Sequence, residues 1–92
     1  MKRLSKQDTA RTRQEIMFQR YTELIKELHR ENPEITKALS KSYFYNKIGD
    51  EMGYNPVYVG RIIQLTLQEK GIRRDRSSDI MDEEIRFILS IP

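Results

Sequence analysis

Ile48-Gly49-Asp50-Glu51-Met52-Gly53-Tyr54-Asn55-Pro56-Val57-Tyr58-Val59-Gly60-Arg61-Ile62-Ile63 is the stretch on which the fold turns. Ile48 and Met52 are four apart and share one face of a helix. Gly49 between them leaves room for a second helix to approach. Gly53 follows the last apolar residue, where a left-handed backbone is cheap only for glycine. Asn55 can cap the next helix with its side-chain oxygen. Pro56 suits a first helical position, because the N–H it lacks has no partner there. In the second helix, Val59, Ile62 and Ile63 fall on one face expected to be buried. Val57, Arg61, Gln64 and Gln68 fall on the opposite, outward one. The stretch therefore predicts a short helix, a glycine turn and a second helix.

With these positions in place, the stretch resembles the helix-turn-helix of bacterial and phage transcription regulators. The match rests on small Gly49, apolar Ile48 and Met52, turn Gly53, and apolar Tyr54, Val59 and Ile62. It covers about twenty residues, 45–64, and the matched positions are all packing or turn positions. The resemblance implies that the second helix enters the major groove of double-stranded DNA. Arg61 is then a candidate for guanine, and Gln64 and Gln68 for adenine; without the motif, the same residues are an ordinary solvated helix face. Asn55, Pro56 and Val57 lie at the helix start that points into the groove. Val57 is placed to touch a thymine methyl, and Asn55 chiefly to cap. Tyr58 is a candidate phosphate contact, and Ser42 and Lys47 lie where the first helix meets the backbone. Lys41, Arg73, Arg74 and Arg76 are further phosphate candidates. Gly60 departs from the pattern. At an outward helical position it costs about 1 kcal/mol relative to alanine; either it allows close approach to a sugar-phosphate wall or it simply weakens the match.

The charge pattern agrees with a polyanion partner. The net charge is only +3, but it is unevenly spread. Residues 1–15 carry five bases and two acids, and residues 37–76 carry eight bases and four acids. Residues 77–92 carry one base and four acids. Polyanion binding follows such local patches rather than the total. A hydrophobic content of 37% against 34% charged residues suits amphipathic helices better than a β-sandwich. The 92 residues make one domain with a modest core.

The rest of the chain predicts an all-α domain of four to five helices. Residues 1–8 read as a flexible basic arm and 9–92 as a single helical domain, with the helix-turn-helix at about 43–70. Residues 8–31 lack Gly and Pro, and Met17, Phe18, Tyr21, Leu24, Ile25 and Leu28 recur at helical steps. This is a long first helix, with Asp8 or Thr9 as cap and Asn32-Pro33 as its end. Pairs Glu23–Lys26 and Lys26–Arg30 decorate its polar face. Residues 33–39 form a short connector, with Ile35 and Leu39 one turn apart. Ser42 is the expected cap of a helix over 43–52. The second motif helix runs from Pro56 to about Lys70, with Gly71 as its stop. Residues 73–78 read as a loop, and 71–76 leave room for a minimal wing. A last helix over 79–89 places acids in its first turn and groups Met81, Ile85, Ile88 and Leu89.

Phe44 and Tyr54 read as core, with Tyr43, Tyr45 and Tyr58 near the motif. No catalytic constellation is visible, so no enzyme activity is expected. There is no cysteine, and His29 has no second ligand at metal-binding spacing, so neither metal nor cofactor is expected. The basic start, Met1-Lys2-Arg3-Leu4, is not followed by an apolar run. No segment approaches a membrane span, and a cytoplasmic, nucleoid-associated protein is the expectation. The apolar stripes of the first and last helices predict a homodimer, matching twofold DNA sites. The expected function is sequence-specific binding of duplex DNA in transcription regulation. The rivals are a protein–protein module on the same fold and the DNA-binding part of a mobile-element recombination system. The basic start and short C-terminus suit a complete small gene product better than the latter.

Overall fold

The computed structural model describes residues 6–73, 80 and 82–91. Five α-helices follow one another among these residues: α1 (Lys6–Glu31), α2 (Pro33–Ala38), α3 (Lys41–Met52), α4 (Pro56–Glu69) and α5 (Asp82–Ser90). No strand occurs among the described residues. None of their helices is long and apolar enough to cross a membrane.

Local chemistry sets most boundaries. Asn32 ends α1 and opens α2, its side-chain oxygen accepting from the backbone N–H of Glu34 and Ile35 at 3.1 and 3.3 Å. Pro33 occupies the first position of α2, where a missing N–H costs nothing. Gly71, at φ +87°, stops α4 in a Schellman arrangement. Its N–H reaches the Gln68 carbonyl at 3.0 Å, and that of Ile72 reaches Leu67 at 2.9 Å.

Two expected caps are not used. Asp8 and Thr9 lie inside α1, which begins at Lys6 and so also takes in part of the expected arm. Residues 1–5 lie outside the described residues. Ser42 lies inside α3; the cap position is Ser40, which makes no side-chain capping bond. Arg74, Arg76, Asp79, Met81 and most of the stretch considered for a wing also lie outside the described residues.

α1 is the spine, and each of the other four helices packs against it. Its apolar stripe, Met17, Phe18, Tyr21, Leu24 and Ile25, is buried. Phe44 and Ile48 of α3, Val59, Ile63 and Leu67 of α4, and Ile85 and Ile88 of α5 complete the core. Fully burying side chains of this size contributes about 1.5–3 kcal/mol each. Most of the α1 stripe, with Ile85 and Ile88 of α5, is covered within one chain, so these residues do not need a second copy to bury them. Leu89, placed with the apolar face of α5 by its spacing, is 39% exposed instead.

Polar ties fix the helices around the spine. Tyr21 Oη donates to the buried Glu84 carboxylate at 2.7 Å, joining α1 to α5. Burial and the nearby carboxylate push the Tyr21 hydroxyl well above its usual pKa. Arg20 grips Glu51 of α3 through two bonds of 2.7 and 2.9 Å. That hydrogen bond holds the Glu51 carboxyl below its ordinary range. The charge pairing along α1 differs from the expected one: Glu23 pairs with Arg20 at 3.3 Å. Lys26 donates to the backbone carbonyl of Ile91, beyond α5.

Candidate functional site

The α3–turn–α4 unit is built around a turn that admits no side chain at one critical point. Gly53 takes φ +77°, the left-handed region, and both its N–H and that of Tyr54 return to the Gly49 carbonyl, at 2.8 and 3.0 Å. Asn55 then caps α4, accepting from Val57 N–H at 2.8 Å, with Pro56 in the first turn. A Cβ on Gly49 would stand 2.5 Å from the Tyr54 carbonyl oxygen. The close approach expected of Gly49 is therefore made first by the turn's own backbone.

α4 presents a stripe and two flanks. Val57, Arg61, Gln64 and Gln68 lie within about a sixth of a turn of one line, at 3.6 residues per turn. Val57 is 72% exposed, and Arg61 and Gln68 are exposed as well. Gln64 is only half-exposed, because its amide donates to Tyr45 Oη of α3 at 2.9 Å. Gly60 is not an outward residue. It is buried on the α3 flank, where a Cβ would lie 2.8 Å from the Tyr45 ring. Its missing side chain makes room for an aromatic ring of the protein. Burial pushes the Tyr45 hydroxyl up to about 12, although the bond from Gln64 works the other way.

The opposite flank carries Tyr58, Ile62 and Leu65. Tyr58 is half-buried, and its hydroxyl accepts from Arg13 Nη1 of α1 at 3.3 Å. Its ring lies 5.5 Å from that of Tyr54 in the turn. Tyr58 therefore already has a cationic partner, and the charge beside it belongs to Arg13, which the sequence reading did not single out. No local pattern could have found it, since the two residues are 45 apart in sequence.

On α3, Ser42 and Lys47 are exposed, and Lys47 Nζ lies 5.9 Å from the Tyr43 ring centroid. Lys41 is not the surface contact expected of it, being buried at 6% exposure. Arg73 is exposed beyond α4. Phe44 is core and Tyr54 packs partly against it, as expected of both. Among the described residues no carboxylate lies within ion-pair distance of Arg13, Lys47 or Arg61.

Away from this unit, a cleft of about 630 Å³ opens between α1, the end of α4 and α5. Its wall includes Phe18, Phe87 and Ile91, with Arg11, Glu69 and Lys70 among its charged residues. His29 Nδ1 is buried without a hydrogen-bond partner. No group of three or more metal-ligating side chains occurs among the described residues. In comparisons with known proteins, no family model, no curated protein and no solved structure matches this chain.

Proposed function

We propose that this protein binds double-stranded DNA sequence-specifically, as a transcription regulator, with α3 and α4 acting as a helix-turn-helix. The observation that carries the proposal is the outward face of α4. Val57, Arg61 and Gln68 stand exposed along it, Arg61 has no carboxylate partner among the described residues, and no acid precedes Glu69 in the helix. A B-form major groove about 12 Å wide admits one α-helix bearing such a face. Arg61 is assigned to a guanine edge and Gln68 to an adenine edge. Gln64 joins them with its amide already tied to Tyr45 through one N–H. Val57 meets a thymine methyl, while Ser42 and Lys47 bind phosphates. Asn55 and Pro56 shape the entry of the helix into the groove. The reading applies to a single chain on one half-site.

A protein partner is the second reading, favoured by two exposed apolar residues of α4, Val57 at 72% and Leu65 at 46%. Titration of a random duplex pool at rising salt separates the two. DNA binding gives a log-affinity slope of about −0.9 per neutralised phosphate, and a flat titration overturns the proposal. Arg61→Ala is expected to cost about 1–3 kcal/mol on the selected site and less on random duplex. Equal losses on both would remove Arg61 from the base readers.

A further inference from the structure

α1 turns two arginines toward the α3–turn–α4 unit, and they are treated differently. Arg20 is neutralised by Glu51 and Glu23. Arg13, two turns earlier, meets only aromatic groups among the described residues. Its Nη1 bonds Tyr58 Oη at 3.3 Å, and its guanidinium carbon lies 5.5 Å from the Tyr54 ring centroid. Neither contact cancels its charge. A guanidinium has five N–H donors, so most remain for another partner. Tyr54 belongs to the turn and Tyr58 to the first turn of α4. Arg13 is thus held at the leading end of α4, on the flank opposite Tyr45.

We infer that Arg13 is a phosphate-gripping residue of the DNA site, carried by α1 and held in place by Tyr54 and Tyr58. The inference rests on the DNA-binding reading above and adds α1 to its contact surface. The chemistry fits one occupant best. A guanidinium fork pairs with phosphate oxygens in a bidentate manner. A long side chain already fixed by a ring and a hydroxyl loses less freedom on binding than a free one. Tyr58 then acts as a positioning residue. Its hydroxyl accepts from Arg13, and the charge offered to the phosphate is the arginine's.

The test uses the whole chain and a labelled duplex selected from the random pool, with a scrambled duplex beside it, across a salt series. Arg13→Gln is expected to weaken both duplexes by the same factor and to reduce the salt slope by about 0.9, one phosphate's worth. Tyr58→Phe keeps the charge, so it is expected to weaken binding while leaving the slope unchanged. Thermal unfolding followed by circular dichroism serves as the fold control. If the wild type binds and Arg13→Gln keeps full affinity and slope, the assignment is overturned while the DNA reading stands. A loss confined to the selected duplex makes Arg13 a base reader and overturns the phosphate role. Should Arg13→Gln fail to fold, Tyr58→Phe decides, and unchanged affinity there overturns the inference. A wild type without salt-dependent affinity overturns both this inference and the reading beneath it.

Discussion

Gly49 and Gly60 sit eleven residues apart, and both are places where a methyl group has no room, but the obstacles differ. At Gly49 the obstacle is the Tyr54 backbone carbonyl, 2.5 Å from the would-be Cβ. Backbone in a closed turn cannot rotate away. At Gly60 it is the ring of Tyr45, which can tilt if it surrenders its bond from Gln64. Both substitutions gain about 1 kcal/mol of helix propensity. Overpacking costs about 1–3 kcal/mol, and that cost should be paid in full only at Gly49. Gly49→Ala is therefore expected to lower stability clearly, while Gly60→Ala comes near neutral. Urea unfolding of the two variants gives the comparison, and a Gly60→Ala loss exceeding that of Gly49→Ala would refute the ranking.

Among the elements, α5 shows how a buried polar tie adds to a short apolar contact. It is short, and its hold on α1 combines Ile85 and Ile88 with the bond from Tyr21 to Glu84. A buried carboxylate deprived of a donor costs about 1–3 kcal/mol, because desolvation is no longer offset. Tyr21→Phe keeps the ring, with its edge-on contact to Phe44 at 6.0 Å, and removes only the hydroxyl. It is expected to destabilise by that amount in chemical denaturation, and a loss under about 0.5 kcal/mol would show that Glu84 does not rely on Tyr21.

For the whole molecule, buried Tyr21 and half-buried Tyr45 make stability sensitive to alkaline pH. The Tyr45 hydroxyl is pushed up to about 12 and that of Tyr21 well above its usual value, both chiefly by burial. An unfolded tyrosine titrates near 10. Above that pH the unfolded chain releases protons that the folded chain keeps. The stabilisation is thus complete below about pH 10 and falls as pH rises toward the folded values, by up to about 1.4 kcal/mol per pH unit per tyrosine. The thermal midpoint should decline from pH 10 upward, and Tyr45→Phe should flatten that decline. An unchanged slope in the variant would exclude Tyr45 as its source. At the acid end, Arg20 lowers the Glu51 carboxyl, so that pair helps folding above the ordinary carboxylate range and is lost below it. It is solvent-exposed, so its share is small.

The sequence by itself determined the all-α class and the boundaries of the helices near the centre. The turn at Gly53, the caps at Asn55 and Asn32, the helix starts at Pro33 and Pro56 and the stop at Gly71 all follow from interactions that close within a few residues. Helical periodicity likewise marked the buried stripe of α1 and the outward placing of Val57, Arg61 and Gln68. Only the tertiary structure decided what covers each flank. Gly60 lies seven residues before buried Leu67, so spacing puts it on the flank of the buried face; that the ring of Tyr45, fifteen residues earlier, is what lies over it comes only from the packing. Gln64 is held by the same ring's hydroxyl, Tyr58 by Arg13, and Glu84 by Tyr21 from 63 residues away. Most of the α1 stripe that suggested a second copy, with Ile85 and Ile88 of α5, is covered by the chain's own helices. Spacing reports which residues share a face; which element meets that face depends on the packing of the whole chain, and no local pattern encodes it.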